Sequence, residues 1–266
     1  MKALSVLTAL LFTFPNLAAA PQAAAPAPAS SNQATTLLAQ SANALTGTAR
    51  IADVTLSGTV QRIAGSDDET GTAVLKTIST GASSVSLSLP SGTHSEIHNS
   101  STTPPAGAWS GPDGIPHAIA FHNLLAGPAW FFPAFIISQG LTTSGYVATY
   151  VGAETHNGEA VHHVSLSQPS LLPNTRSAAS SVHLTQVDLF LDSTTLLPSA
   201  IAFNVHPDNN ALLDIPVEIR FSNYTPVNGA KVPFRIQKFL NNTLILDFQA
   251  NSVVLNSGLT ASSFSL

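Results

Sequence analysis

The chain has 266 residues, of which 44% are hydrophobic and only 9% charged, with a formal net charge of −5. Soluble domains usually carry roughly 25% charged residues, so Ser, Thr, Asn and Gln must wet this surface, which argues for a β protein and against a charged helical bundle. The acidic balance, with no basic cluster longer than two residues, excludes the phosphate neutralisation on which nucleic-acid binding rests.

The chain opens like an export segment. Met1 and Lys2 give a short basic start, residues 3–14 are apolar, Pro15 breaks the run, and small residues follow in NLAAAPQAAAPAPASS, a pattern that fits a cleavable signal. A cut after Ala19 or after Ala29 avoids placing Pro21 directly behind the scissile bond. The apolar run is shorter than the ~20 residues of a membrane span, which weighs against an uncut anchor. The chain has no cysteine, so no disulfide braces the fold and no thiol is present to carry a bacterial lipid anchor. The expectation is a soluble monomer in the periplasm, or secreted, with residues 1–29 as signal peptide and Ala/Pro linker and 30–266 as a single domain.

Residues 33–45 place Leu37, Leu38, Ala42 and Leu45 on one stripe at helical spacing, with Ser31 or Asn32 as cap and Gly47 as stop. Alternation then marks strands at 52–63, 72–80 and 83–90, and SGTHSEIHN continues the meander; Gly58 reads as a bulge and 64–71 as a turn. The Gly and Pro punctuation of 100–116 predicts a loop with no regular element. Residues 117–141 have a different period. They predict two short helices, 117–125 and 128–138, parted at Gly127-Pro128, the second apolar nearly all round. Such a helix must be buried, and its Gly, Pro, His and Asn neighbours weigh against a membrane span. Strands resume at 145–154, 159–168, 181–192, 198–207, 214–224, 231–240 and 244–255, joined by short turns such as THNG and PVNG. The count is about eleven strands.

Nine histidines invite a metal or a general base. No HExxH pattern exists, His94 and His98 are spread over ~13 Å if extended, and His162 and His163 face opposite ways on a strand. They read as scattered surface or edge residues, with His117 and His122 flanking the apolar helix as candidates for a pocket mouth. No GxSxG, GxGxxG or GKS motif is present. Asp67, Asp68 and Glu69 read as a solvated turn, with weak calcium binding as the alternative. The sequence therefore offers no catalytic set, no metal site and no cofactor site.

The final third carries LFLDSTTLLPSAIAF and then VEIRFSNYTPVNGAKVPFRIQKFLNN, which resembles the LolA/LolB-like superfamily of periplasmic lipoprotein and lipid carriers. An acidic strand residue followed by LLP marks one hairpin of that group, and Tyr224, Val227, Gly229, Pro233 and Ile236 mark the next. The resemblance spans roughly 33–264, with its motifs confined to 187–264. It implies a mainly β (α+β) fold: a half-open, strongly curved antiparallel β-barrel with an N-terminal helix and an internal helical lid or plug, here a helical insert at about 117–139. Arg50 and Arg62 are candidates, by position, for an arginine that latches the lid. On this reading Phe221, Val232, Phe234 and Phe248, with Leu244 and Leu246, floor a hydrophobic cavity. Trp130, Phe131, Phe132, Phe135 and Ile136 cover it as a permanent plug or a movable lid. The implied function is non-enzymatic carriage of lipid or lipoprotein acyl chains, with an envelope membrane protein as a further partner. The alternatives are an envelope sensor or interaction module of the same fold, and a hydrolase built from dispersed His, Ser and Asp residues.

Overall fold

The computed structural model describes residues 31–100, 102, 104–127, 129–171 and 178–264; the expected export segment and Pro128 lie outside them. Within that range the chain folds as α1 (Asn32–Thr46), β1 (Asp53–Ala64), β2 (Asp67–Ile78), β3 (Ser83–Leu89), β4 (Gly92–Asn99), β5 (Ala106–Ser110), β6 (Pro116–Ala118), α2 (Pro133–Thr142), β7 (Val147–His156), β8 (Glu159–Ser167), α3 (Ala178–Thr185), β9 (Val187–Asp192), β10 (Pro198–Val205), β11 (Ile215–Val227), β12 (Ala230–Leu240) and β13 (Thr243–Leu255). The strands form one antiparallel sheet in the order β6-β5-β4-β3-β2-β1-β13-β12-β11-β10-β9-β8-β7. It is a large, curved, open sheet, the expected half-barrel. Every neighbour is sequential except β1 and β13, which join the two halves. The chain leaves one edge at β6 and re-enters at the opposite edge as β7. Residues 119–146 therefore have to cross the sheet, and they carry the apolar insert over its concave face.

Turn chemistry explains the hairpins. Asn157-Gly158 has φ of 53° and 86°, Asn228-Gly229 has 47° and 86°, and Asn241-Asn242 has 48° and 62°. Positive φ at both central residues is the type I′ requirement, and Asn and Gly meet it most easily. At Gly58 the β1–β13 register slips, and a Cβ there would meet Gln249 O at 1.9 Å. The expected bulge is present, and only glycine fits it.

Ser31 caps α1, its Oγ accepting the Ala34 N–H at 3.1 Å, and the Gly47 N–H closes the other end on Asn43 O. Ala34, Leu37, Leu38, Ser41 and Leu45 form its buried stripe. Behind the seam of the sheet, buried Asp53 accepts from Ser257 N and Oγ, Gly258 N and Leu259 N at 2.7–3.3 Å. Burial works against its charge, but those hydrogen bonds outweigh it and lower its pKa.

Four expectations need correcting. The turn at 64–71 shrinks to Gly65 and Ser66, because Asp67, Asp68 and Glu69 already pair with Ala64, Ile63 and Arg62. The loop at 100–116 contains β5 and the start of β6, which brings the count to thirteen; Pro116 is tolerated as the first residue of an edge strand. Residues 117–125 end β6 and then form only a 3-10 turn, Phe121–Leu124, while the second helix begins at Pro133 and not near 128. Proline lacks the N–H that a first helical turn leaves unpaired, so it sets the start. The strand expected at 181–192 splits into α3 and β9. Buried Ser181 and Thr185 stack one helical turn apart, with Thr185 Oγ1 donating to Ser181 O at 2.6 Å.

Candidate functional site

The insert fills part of the concave face completely. Phe131, Phe132 and Ile137 are 0–1% exposed, and Phe135 and Ile136 are also buried. Phe132 and Phe135 meet edge-on at 4.8 Å. At Gly127 a Cβ would lie 2.8 Å from the Phe203 ring of β10, so the approach is as close as glycine permits. α1 packs on α2, β12 and β7 and holds the insert from the other side. Phe221, Val232, Phe248 and Leu246 are buried in the same core, while Phe234 is partly buried against it and Leu244 is half-exposed.

Trp130 sits where this packing ends. It roofs a cavity of about 560 Å³ whose walls come from β1, β3, β4, β5, β12 and β13. Val85, Leu87, Leu240, Ile245 and Leu246 supply apolar surface, and Trp109 stands at the mouth, 48% exposed and stacked on His117 at 4.5 Å. Of the residues expected to form the site, the fold brings Trp130 and Leu246 to this cavity. Phe131, Phe132, Ile136, Phe221, Val232, Phe234 and Phe248 are not on its wall. Phe135 lines a separate cavity of about 470 Å³ between α1 and α2, with Arg50 at its edge.

A set of charges also faces the hollow. Lys238 Nζ lies 4.7 Å from the centre of the Trp130 ring, within cation–π reach. Glu96 bonds His98 Nε2 at 2.9 Å. Burial opposes the Glu96 charge, yet Lys238 and His98 override it and hold its pKa at about 2. Burial and the Arg62 charge lower the His94 pKa, Glu69 opposing them, and His94 Nε2 is buried without a hydrogen-bond partner. Arg62, Ala64 and His94 also line a polar cleft of about 620 Å³ with Asp67, Asp68, Glu69 and Ser91. The two spaces thus share a wall: one side is apolar and the other is acidic and wet.

Sequence reasoning missed Lys238, Glu96 and His94. Lys238 left one signal: it follows Val232, Phe234 and Ile236 at the same parity, a lone charge on an otherwise greasy face. Glu96 and His94 gave none, because their role depends on how β4 meets β12 across the barrel.

Five of the nine histidines gather in two groups. On the outer face His156 stacks on Phe190 at 3.6 Å and His163 lies 4.6 Å from the same ring; Asp188 approaches His163 and Glu218 approaches His156. His122, expected at a pocket mouth, instead joins His183 and His206 beside the β10–β11 connection.

No protein-family model and no curated protein matches the sequence. Solved structures do match the fold. An outer membrane lipoprotein-sorting protein domain from Vibrio parahaemolyticus is 11% identical over 88% of this chain and 96% of its own, with a TM-score of 0.54. The LolA superfamily protein NE2245 from Nitrosomonas europaea is 13% identical over 88% and 97%, TM-score 0.52. A DUF1329 family protein from Desulfovibrio piger is 9% identical over 88% and 96%, TM-score 0.52. The chain has a LolA-like fold, at 9–13% sequence identity to these structures.

Proposed function

We propose that the protein is an exported periplasmic carrier that binds an acyl chain of a lipid or lipoprotein and does no chemistry on it. The observation that supports this most directly is the apolar cavity under Trp130, joined through Arg62, Ala64 and His94 to a polar cleft. Its volume of about 560 Å³ falls within the roughly 300–1,000 Å³ of small-ligand sites. A chain entering it gains about 0.8 kcal/mol per CH₂ removed from water, and Arg62, His94 and Lys238 stand ready for the polar end. The two serines on the wall, Ser95 and Ser110, are hydrogen-bonded to each other at 2.7 Å rather than to a histidine or carboxylate. Among the described residues no helix is long and apolar enough to cross a membrane. The likeness to a structure named for lipoprotein sorting supports the same class of cargo.

The insert acts as a plug in this reading. Each buried Phe is worth about 1.5–3 kcal/mol, a cost that a tail avoids by entering the hollow already present under Trp130. Trp130, at the boundary of the hollow, is the side chain of the insert that a tail in the cavity would touch. Protein unfolded, stripped of lipid and refolded is expected to take up a fluorescent fatty acid with micromolar affinity, and Trp130→Ala to change that uptake. Absence of saturable uptake at micromolar protein would end the carrier reading.

A further inference from the structure

Away from the cavity, three side chains from separate segments converge on one point. His183 stands on α3, His206 directly follows β10, and Asp214 directly precedes β11. Asp214 Oδ1 lies 2.6 Å from His183 Nε2 and 3.1 Å from His206 Nε2, and the three donor atoms lie within 4.8 Å of one another. We infer that this cluster is a binding site for a divalent transition metal of the zinc class.

The donor set supports that ion. Two imidazole nitrogens and one carboxylate oxygen are the three protein ligands of several zinc centres, which leave a fourth position to water. Imidazole suits zinc and its neighbours, whereas calcium and magnesium take oxygen cages. Tetrahedral bonds of ~2.0–2.2 Å place ligand atoms about 3.3 Å apart, so the 3.1 Å separation of His206 from Asp214 already nearly fits, and the 2.6 Å separation of His183 has to widen by about 0.7 Å. The carboxylate of Asp214 favours a cation at this point.

The surroundings hold the site in place. The His206 side chain is 1% exposed. Its position is fixed through the backbone: Asn123 Nδ2 donates to His206 O and the His206 N–H donates to Asn123 Oδ1, both at 2.8 Å. His206 Nδ1 is buried with no hydrogen-bond partner, so the polar interaction of the ring is directed to the cluster through Nε2. His122 packs edge-on against it at 5.7 Å, with its Nε2 at 3.2 Å from Pro207 O. A cavity of about 260 Å³, lined by His183, Asp214 and Asp188 among others, reaches the cluster from solvent and adds a second carboxylate along the approach. A bound ion would tie α3, the end of β10 and the start of β11 together, and through Asn123 the root of the insert, in a chain that has no cysteine to do so.

Titration calorimetry of the full chain, stripped with chelator and then given zinc chloride, tests this. One zinc per chain with micromolar or tighter affinity is expected, together with a higher melting temperature and, with cobalt(II), the visible absorption of a tetrahedral site. His183→Ala and Asp214→Asn, at positions where the side chains are 30% and 45% exposed, should each weaken binding by at least the ten- to hundredfold that even outer partners of a metal ligand are worth, with unchanged far-ultraviolet circular dichroism. The substitution His162→Ala should leave binding intact. A reading that needs no variant is also available: the ring resonances of His183 and His206 should be the first to shift as zinc is added. Failure to bind zinc stoichiometrically, binding that survives both substitutions, or first shifts at other histidines would overturn the inference and leave a hydrogen-bonded His–Asp–His staple.

Discussion

The two halves of the concave face are built from the same kind of strand and end up differently. One part of the face is filled by Phe131, Phe132, Phe135 and Ile137, backed by α1. Another part, walled by β1, β3, β4, β5, β12 and β13, is hollow, with Trp130 as the boundary and Glu96, Lys238 and His94 in the wall. One insert crosses a sheet of thirteen strands, and its apolar mass is too small to cover all of it. The filled half carries stability, and the uncovered remainder is free for a ligand. The close approach at Phe203 on the filled side and the single cation–π contact on the other side mark how differently the two were packed.

Substitutions can break or sharpen this contrast. The largest effect is expected for Phe131→Ala, fully buried in the filled half: a loss of about 3–5 kcal/mol in urea unfolding, with fatty-acid affinity of the folded fraction retained. A loss below about 1 kcal/mol would mean that the insert is loosely seated and the contrast false. Next comes Tyr224→Phe, which removes the hydroxyl donated to Pro198 O at 2.8 Å. Burial raises the pKa of this phenol, and the cost should be about 0.5–1.5 kcal/mol with no effect on uptake. On the hollow side Trp109→Ala should shift stability by no more than about 0.5 kcal/mol while weakening fatty-acid binding; the reverse pattern would place the ligand elsewhere.

The smallest expected effect concerns the charge pair in the wall. Glu96 has a folded pKa of about 2 against an ordinary 4.5, a depressed value. Its contribution to stability is therefore complete above about pH 4.5 and lost as pH falls from there towards 2. Lys238→Met removes the main cation that lowers it. The Glu96 titration followed by NMR should move up from about 2, and the difference in urea midpoint between the two proteins should close as pH falls through that window. An unmoved titration would show that Lys238 points away from the hollow.

Much of the fold was legible because hairpins advertise themselves locally. Asn-Gly pairs at 157–158 and 228–229 need no distant partner to adopt their turn, and the stripe of α1 needs only its own spacing. β5 and β6 were illegible because they are short and Gly/Pro-bounded, and they become strands only as β5 pairs with β4 and β6 with β5. α3 was misread because Val182 and Leu184 mimic alternation while Ser181 and Thr185, polar and buried, carry the helical face. The resemblance in 187–264 pointed to the fold and to a greasy concave side, and greasy residues were duly proposed as the site. Which of them meet empty space is a matter of volume left over, a property of the whole barrel. The zinc-class cluster was hidden for a related reason: His183, His206 and Asp214 belong to three elements with no shared motif.

The sheet joins β1 to β13, Val54 lying opposite Leu255. The central seam is thus made of the first and last strands of the domain. Until the final strand is available, β1 presents a long row of unsatisfied amides and carbonyls, and β12 presents another. Folding of this kind is dominated by distant pairings and is slow. The half-barrel can close only after the whole chain has emerged, so a truncation that removes β13 exposes two long strand edges in the middle of the sheet, each a template for association with another chain.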